Sequence, residues 1–156
     1  MIFKNFFVVS GVGLSKTSKL NAFDNALLDA GISQCNLVPV SSILPKKARQ
    51  IRPIVIEPGS ITFTVLARRD GNPGESISTG LGWAFCVDND GKDTYGIVVE
   101  DEGLEGEDGI RLEIKLRLTE MVENRKMRIK EQDMKVSQIQ IPEGNYGSVI
   151  VALIYC

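Results

Sequence analysis

Asn36-Leu37-Val38-Pro39-Val40-Ser41-Ser42-Ile43-Leu44-Pro45 is the stretch around which the rest of the chain is arranged. Val38 and Val40 are β-branched and suit a pleated, half-buried surface. Pro39 has no N–H to give to a ladder, so it places this strand at a sheet edge or beside a local break. Leu44 precedes Pro45 and is turned away from helix by the proline ring. Two adjacent hydroxyls, Ser41 and Ser42, therefore fall where an extended segment stops and the backbone is held at both sides. In isolation such a pair is an ordinary turn, because serine is a common turn residue.

Working towards the N-terminus, Gly31 supplies a stop for a helix from about Leu20 to Ala30. Ser18 or Asn21 can cap its start, and Leu20, Phe23, Leu27 and Ala30 form one apolar stripe. Before it, Phe6 to Ser10 reads as a strand. Gly11-Val12-Gly13-Leu14-Ser15-Lys16 lacks the Gly-x-x-x-x-Gly-Lys spacing that cradles phosphate, and reads as a glycine turn and flexible connection. Working towards the C-terminus, Lys46 to Gln50 is a solvated loop and Ile54-Val55-Ile56 a short extended piece, followed by a turn at Pro58-Gly59. Ser60 to Arg68 alternates as a half-buried strand, with Ile61, Phe63, Val65 and Ala67 on one face. A turn at Asp70 to Gly74 leads into a strand from Ser76 to Val87, in which Gly80 and Gly82 permit a close backbone approach or a bulge. Asp88-Asn89-Asp90-Gly91 starts like a calcium loop but lacks the later ligands, so it reads as a turn. Tyr95 to Val99 returns as a strand with Glu100 at its end. Ile110 to Lys130 carries both a period-2 and a helical pattern, and its length and Glu/Lys/Arg content favour helix. Val136 to Ile141 and Tyr146 to Tyr155 close the chain as strands. Together these elements predict one α+β domain with mostly antiparallel strands.

Composition narrows the function. A chain of 156 residues can bury one real core. The net charge of −2 offers no field for nucleic acid, which favours a small-molecule ligand. The chain has no histidine, so neither a Ser-His-Asp triad nor a His-ligated metal can be built within it. Cys35, Cys86 and Cys156 are odd in number and far apart, which points to free thiols in a reducing cytoplasm rather than to zinc or disulfides. The apolar start, Met1 to Val9, is short, has no Ala-x-Ala site and reads as a buried first strand rather than a leader. No apolar run approaches membrane-spanning length.

The stretches Leu20 to Ile32, Asn36-Leu37, Val40 to Pro45, Pro73 to Ser78 and Gly96 to Gly103, in that order, resemble the pyruvoyl-dependent arginine decarboxylases. The resemblance implies a four-layer αββα sandwich. It implies self-cleavage between Ser41 and Ser42, giving a small chain of residues 1–41, a large chain of residues 42–156 and a covalent pyruvoyl cofactor derived from Ser42. Asn36 matches the residue that steadies charge on the Ser41 carbonyl oxygen, a task that needs a placed donor. Glu100 matches the proton donor; among apolar neighbours such as Val98 and Val99 its pKa would rise towards neutrality. Asp24 matches the acid that faces the substrate guanidinium, which a carboxylate can hold through two parallel hydrogen bonds. Leu20, Ser33 and Cys35 fall on positions that line the substrate pocket, with Ser33 where glycine is usual and Cys35 where an aliphatic is common. The implied reaction is decarboxylation of L-arginine to agmatine and carbon dioxide, and the implied assembly is a homo-oligomer, a trimer or a dimer of trimers, with sites between subunits. The competing expectations are a pyruvoyl enzyme for another amino acid and an uncleaved oligomeric binding domain of the same fold.

Overall fold

The computed structural model describes residues 1–156. The chain runs β1 (Asn5–Ser15), α1 (Lys19–Ala30), β2 (Asn36–Pro39), β3 (Ile43–Leu44), β4 (Arg49–Gln50), β5 (Ile61–Gly71), β6 (Ser76–Val87), β7 (Asp93–Gly103), α2 (Gly106–Asn124), β8 (Arg128–Gln140) and β9 (Tyr146–Tyr155). These strands make a five-stranded sheet in the order β2-β5-β9-β1-β4 and a four-stranded sheet in the order β3-β7-β6-β8. Only the outermost pairings of the first sheet, β2 on β5 and β4 on β1, are parallel.

Three apolar layers hold four layers of structure together. Phe6, Val65, Leu81, Trp83, Val98, Val151 and Leu153 fill the space between the sheets. Ala26, Ala30, Ile150, Ala152 and Ile154 join the first sheet to α1, and Ile97, Val99, Ile110, Ile114 and Leu118 join the second sheet to α2. Strand β9 shows why both faces must be apolar: its alternate residues enter different layers, so Val149 to Leu153 are wholly buried. Each such side chain contributes roughly 1.5–3 kcal/mol when fully buried. The expected αββα sandwich is the fold observed.

The N-terminal third departs from expectation in an instructive way. Strand β1 continues unbroken through Gly11 and Gly13, which pair with Ile150 and Ser148 on β9. They are not a flexible turn. A Cβ on Gly11 would collide with the Ala26 carbonyl, and one on Gly13 with that of Ala22. The glycines therefore let α1 lie almost directly on β1. The buried stripe of α1 is accordingly Ala22, Ala26 and Ala30, not Leu20, Phe23, Leu27 and Ala30. Leu20 is 70% exposed. Close packing selects the small residues and rotates the larger ones to the flank. Ser18 caps α1 through a bond from the Asn21 N–H, and Gly31 ends it with φ +75°.

Other boundaries also move. Ile54 to Ile56 are not a strand, and Arg49–Gln50 form a short strand where a loop was expected. Helix α2 stops at Asn124, and β8 begins at Arg128 rather than Val136. Its alternating polar residues, such as Lys130 and Gln132, suit an outer strand whose exposed positions tolerate charge. Gly80 and Gly82 lie under α2, where Ile114 packs against both. Cys35, Cys86 and Cys156 are all free thiols. No helix is long and apolar enough to cross a membrane.

Candidate active site

Pro39 does place its strand at an edge. Strand β2 is the last of the first sheet and pairs only with β5. Beyond it the chain leaves that sheet and enters the second one within three residues. On the near side, the Val40 N–H donates to the Thr64 carbonyl at 2.8 Å. On the far side, β3 pairs with β7 at Ile43↔Ile97 and Leu44↔Gly96. The Val98 N–H donates to the Ser42 carbonyl at 2.8 Å, so Ser42 continues that register opposite Val98. The peptide between Ser41 and Ser42 thus bridges two sheets, with its flanks tied to different ones.

This register also locates Glu100. It lies two residues beyond Val98 on β7 and shares its face, since side chains alternate along a strand. Diagonal cross-strand neighbours of this kind stand about 7–8 Å apart. Ser42 and Glu100 are therefore brought to one place from positions 58 apart in sequence. Partial burial pushes the Glu100 carboxyl above its ordinary value, because lost hydration disfavours the charged form. Its backbone carbonyl accepts from Arg117 of α2 at 3.0 Å. Arg117 also pairs with Asp101 at 2.8 Å.

Two recesses flank the crossing. One is a largely apolar cavity of about 520 Å³, bounded by Phe3, Val40, Ser41, Ile43, Phe63 and Tyr155. The other is a polar groove that holds Glu100 and Arg117 between β7 and β5. The first touches Ser41 but not Glu100, and the second holds neither serine.

The remaining expected residues lie on α1 and in the chain from α1 to β2. Leu20 and Asp24 are exposed on α1, and Asp24 has no ion-pair partner within the chain. Ser33 and Cys35 are half-buried in the connection from α1 to β2, where the Cys35 thiol donates to the Ile32 carbonyl. Asn36 starts β2, and its amide donates to the Gly59 carbonyl at 3.0 Å. It lies five residues before Ser41, roughly 16 Å away along an extended chain. Helix α1 covers the outer face of the first sheet, whereas Ser42 joins the second, and facing sheets are separated by about 10 Å. The β3–β7 register therefore brings Ser42 towards Glu100, whereas Leu20 and Asp24 stand outside the first sheet on α1 and Ser33, Cys35 and Asn36 follow in the chain that leads back to Ser41. Tyr155 and Arg117 were not anticipated. Tyr155 bonds the Ile43 carbonyl next to Ser42 and Arg117 the Glu100 carbonyl, both through the fold alone, and no motif around either one signals it.

The family model described as pyruvoyl-dependent arginine decarboxylase matches residues 5–156. The chain belongs to the pyruvoyl-dependent arginine decarboxylase family. Relatives carrying that name include a protein of Methanothermobacter thermautotrophicus, 35% identical over 150 residues, covering 95% of this chain and 93% of the relative. One of Methanopyrus kandleri is 31% identical, covering 97% and 96%. One of Picrophilus torridus is 44% identical over 89 residues, which is 54% of this chain and about half, 48%, of that protein. A pyruvoyl-dependent arginine decarboxylase carries its cofactor as part of the chain, and the surroundings of Ser42 fit such a group. Its carbonyl is fixed by a backbone N–H, its side chain is half-buried, and an acid with a raised pKa stands on the same strand face.

Proposed function

We propose that this chain is a self-processing decarboxylase that converts L-arginine to agmatine and carbon dioxide. The observation that carries this reading is the peptide Ser41–Ser42, slung between two sheets with Glu100 diagonally across the strand pair. Ser42 Oγ attacks the Ser41 carbonyl carbon, forming an ester and freeing the Ser42 amine. Loss of the Ser42 α-proton then expels the Ser41 carboxylate and leaves dehydroalanine at position 42. Water replaces its nitrogen, released as ammonia, and a pyruvoyl group begins the large chain, residues 42–156. Residues 1–41 remain as the small chain.

The pyruvoyl carbonyl supplies an electron sink for the carbon–carbon bond that breaks as carbon dioxide leaves. The protein's own residues do the rest. Glu100, whose carboxyl is pushed above its ordinary value by partial burial, gives a proton to the carbon that lost carbon dioxide. Asp24, with a free carboxylate, receives the substrate guanidinium, which it can grip with two parallel bonds. Leu20, Ser33 and Cys35 shape the pocket wall, and the Asn36 amide steadies the Ser41 oxygen during cleavage. Asp24 and Leu20 lie on α1, outside the first sheet, while Ser42 joins the second, which supports a neighbouring subunit bringing its Asp24 face to the site. A trimer, or a dimer of trimers, supplies that arrangement. Free cysteines support a reducing, cytoplasmic setting.

Intact mass spectrometry of the purified protein tests the reading, followed by carbon dioxide release across a panel of amino acids. The expected result is two fragments, the larger blocked to Edman sequencing, and release strongest with arginine. A single full-length chain after prolonged incubation would assign an uncleaved binding domain instead. Fragments with release from a different amino acid would retain the chemistry and replace the substrate.

A further inference from the structure

We propose that Tyr155 is a positioning residue for chain cleavage, its hydroxyl holding the peptide that follows Ser42 while the Ser42 hydroxyl attacks. This rests on the reading that the Ser41–Ser42 bond breaks itself. The Tyr155 hydroxyl donates to the Ile43 carbonyl at 2.9 Å. The geometry of the strand pair explains why that carbonyl needs a side chain. In an antiparallel ladder the residue next to a hydrogen-bonded position turns its own N–H and C=O away from the partner strand. Ser42 takes its bond from Val98, so Ile43 faces outward. Strand β3 is the edge of its sheet, and nothing in that sheet lies beyond it.

Tyr155 reaches it from the other sheet. It lies near the end of β9, opposite Phe6 on β1, and is 7% exposed. The other two bonds flanking the crossing are main-chain bonds, each made within one sheet. The phenol is the tie beside Ser42 that spans both. It lines the apolar cavity onto which Ser41 opens, and the Phe3 ring, 5.8 Å away between centroids, packs against it. Burial pushes the Tyr155 phenol up to about 12, so it remains a donor at any pH at which the protein works. Attack by a neighbouring hydroxyl depends on the two atoms being held in one relative orientation. A freely swinging Ile43 peptide would let Ser42 rotate out of line. Once the bond is cut, Val98 still holds the new chain start by the Ser42 carbonyl, so the phenol matters chiefly before cleavage.

The test is a time course of fragment formation in freshly made precursor, followed by denaturing gel and intact mass. Wild type, Tyr155→Phe and Phe63→Leu are compared. Loss of one hydrogen bond at this point slows cleavage by about three- to tenfold. Tyr155→Phe is expected to show that delay, with the same cut site and with turnover per cleaved chain within twofold of wild type. Phe63→Leu loosens the same cavity while keeping the phenol, and is expected to lower Tm without delaying cleavage. Cleavage of Tyr155→Phe at the wild-type rate, or an equal delay in Phe63→Leu, overturns the proposal alone. Wild type that stays whole removes the self-cleavage reading, and this proposal with it.

Discussion

Glu100 shows how one carboxyl can be read chemically from its surroundings. Its pKa is raised by burial, so the folded chain keeps that proton to higher pH than the unfolded chain does. The group therefore costs stability as pH rises above the ordinary carboxylate range, by linkage between proton binding and folding. Glu100→Gln should raise Tm slightly at pH 7–8 and leave it unchanged near pH 4, which thermal unfolding at the two pH values can check. The same variant should self-cleave normally yet lose turnover by about 100-fold or more, as expected for a missing general acid. Equal turnover would strip Glu100 of the role. In the wild-type enzyme, turnover should decline as pH rises through the Glu100 pKa, because the proton to be given is then gone. Ser42→Ala has no hydroxyl with which to attack, and should yield neither fragments nor carbon dioxide.

At the scale of elements, α1 lies almost directly on β1, an approach made possible by two missing side chains. Gly13→Ala would push a methyl into the backbone of α1 at Ala22 and Ala26. Overpacking of this kind costs about 1–3 kcal/mol, and urea unfolding should show it as a lowered midpoint with an unchanged slope. The other helix is tied by charge. Asp101 is 8% exposed, and Arg117 is its ion-pair partner. Arg117→Ala leaves that carboxylate buried without a partner, which should lower stability by about 1–3 kcal/mol, measured by the same unfolding experiment. Since Arg117 also holds the Glu100 carbonyl, α2 and the outer edge of β7 should loosen together. The serine motif and the α1 caps were legible locally, because a cap needs only Ser18 and the three residues after it. The role of Gly11 and Gly13 was not, because a glycine in a strand and a glycine in a turn look alike until the helix above them is placed.

For the whole molecule, the proposal that Asp24 and Glu100 meet across a subunit boundary carries a direct prediction. Asp24→Ala and Glu100→Gln chains should each be nearly inactive with arginine. When the two are unfolded and reassembled together, sites that combine an intact Asp24 face with an intact Glu100 face should return about a quarter of wild-type activity, if subunits mix at random around a ring. A site contained in one protomer would gain nothing from mixing. The β3-to-β7 register that gathers Ser42 and Glu100 has no local signature. It depends on a two-residue strand, too short for any periodicity to announce.

The amino-acid sequence by itself determined the class of fold, the positions of most strands, the choice between a sheet edge and a local break at Pro39, the exclusion of histidine chemistry and the resemblance that pointed to Ser41 and Ser42. These rest on local physics: proline lacks a donor, β-branched residues favour extended backbone, and alternation marks a buried face. Only the tertiary structure decided which residues meet. It set Glu100 two residues beyond Val98, the partner of Ser42, brought Tyr155 to the Ile43 carbonyl, and left Asp24 exposed on α1. Such contacts are set by sheet register and layer packing, which join residues far apart in the chain and leave no trace in the neighbours of either one.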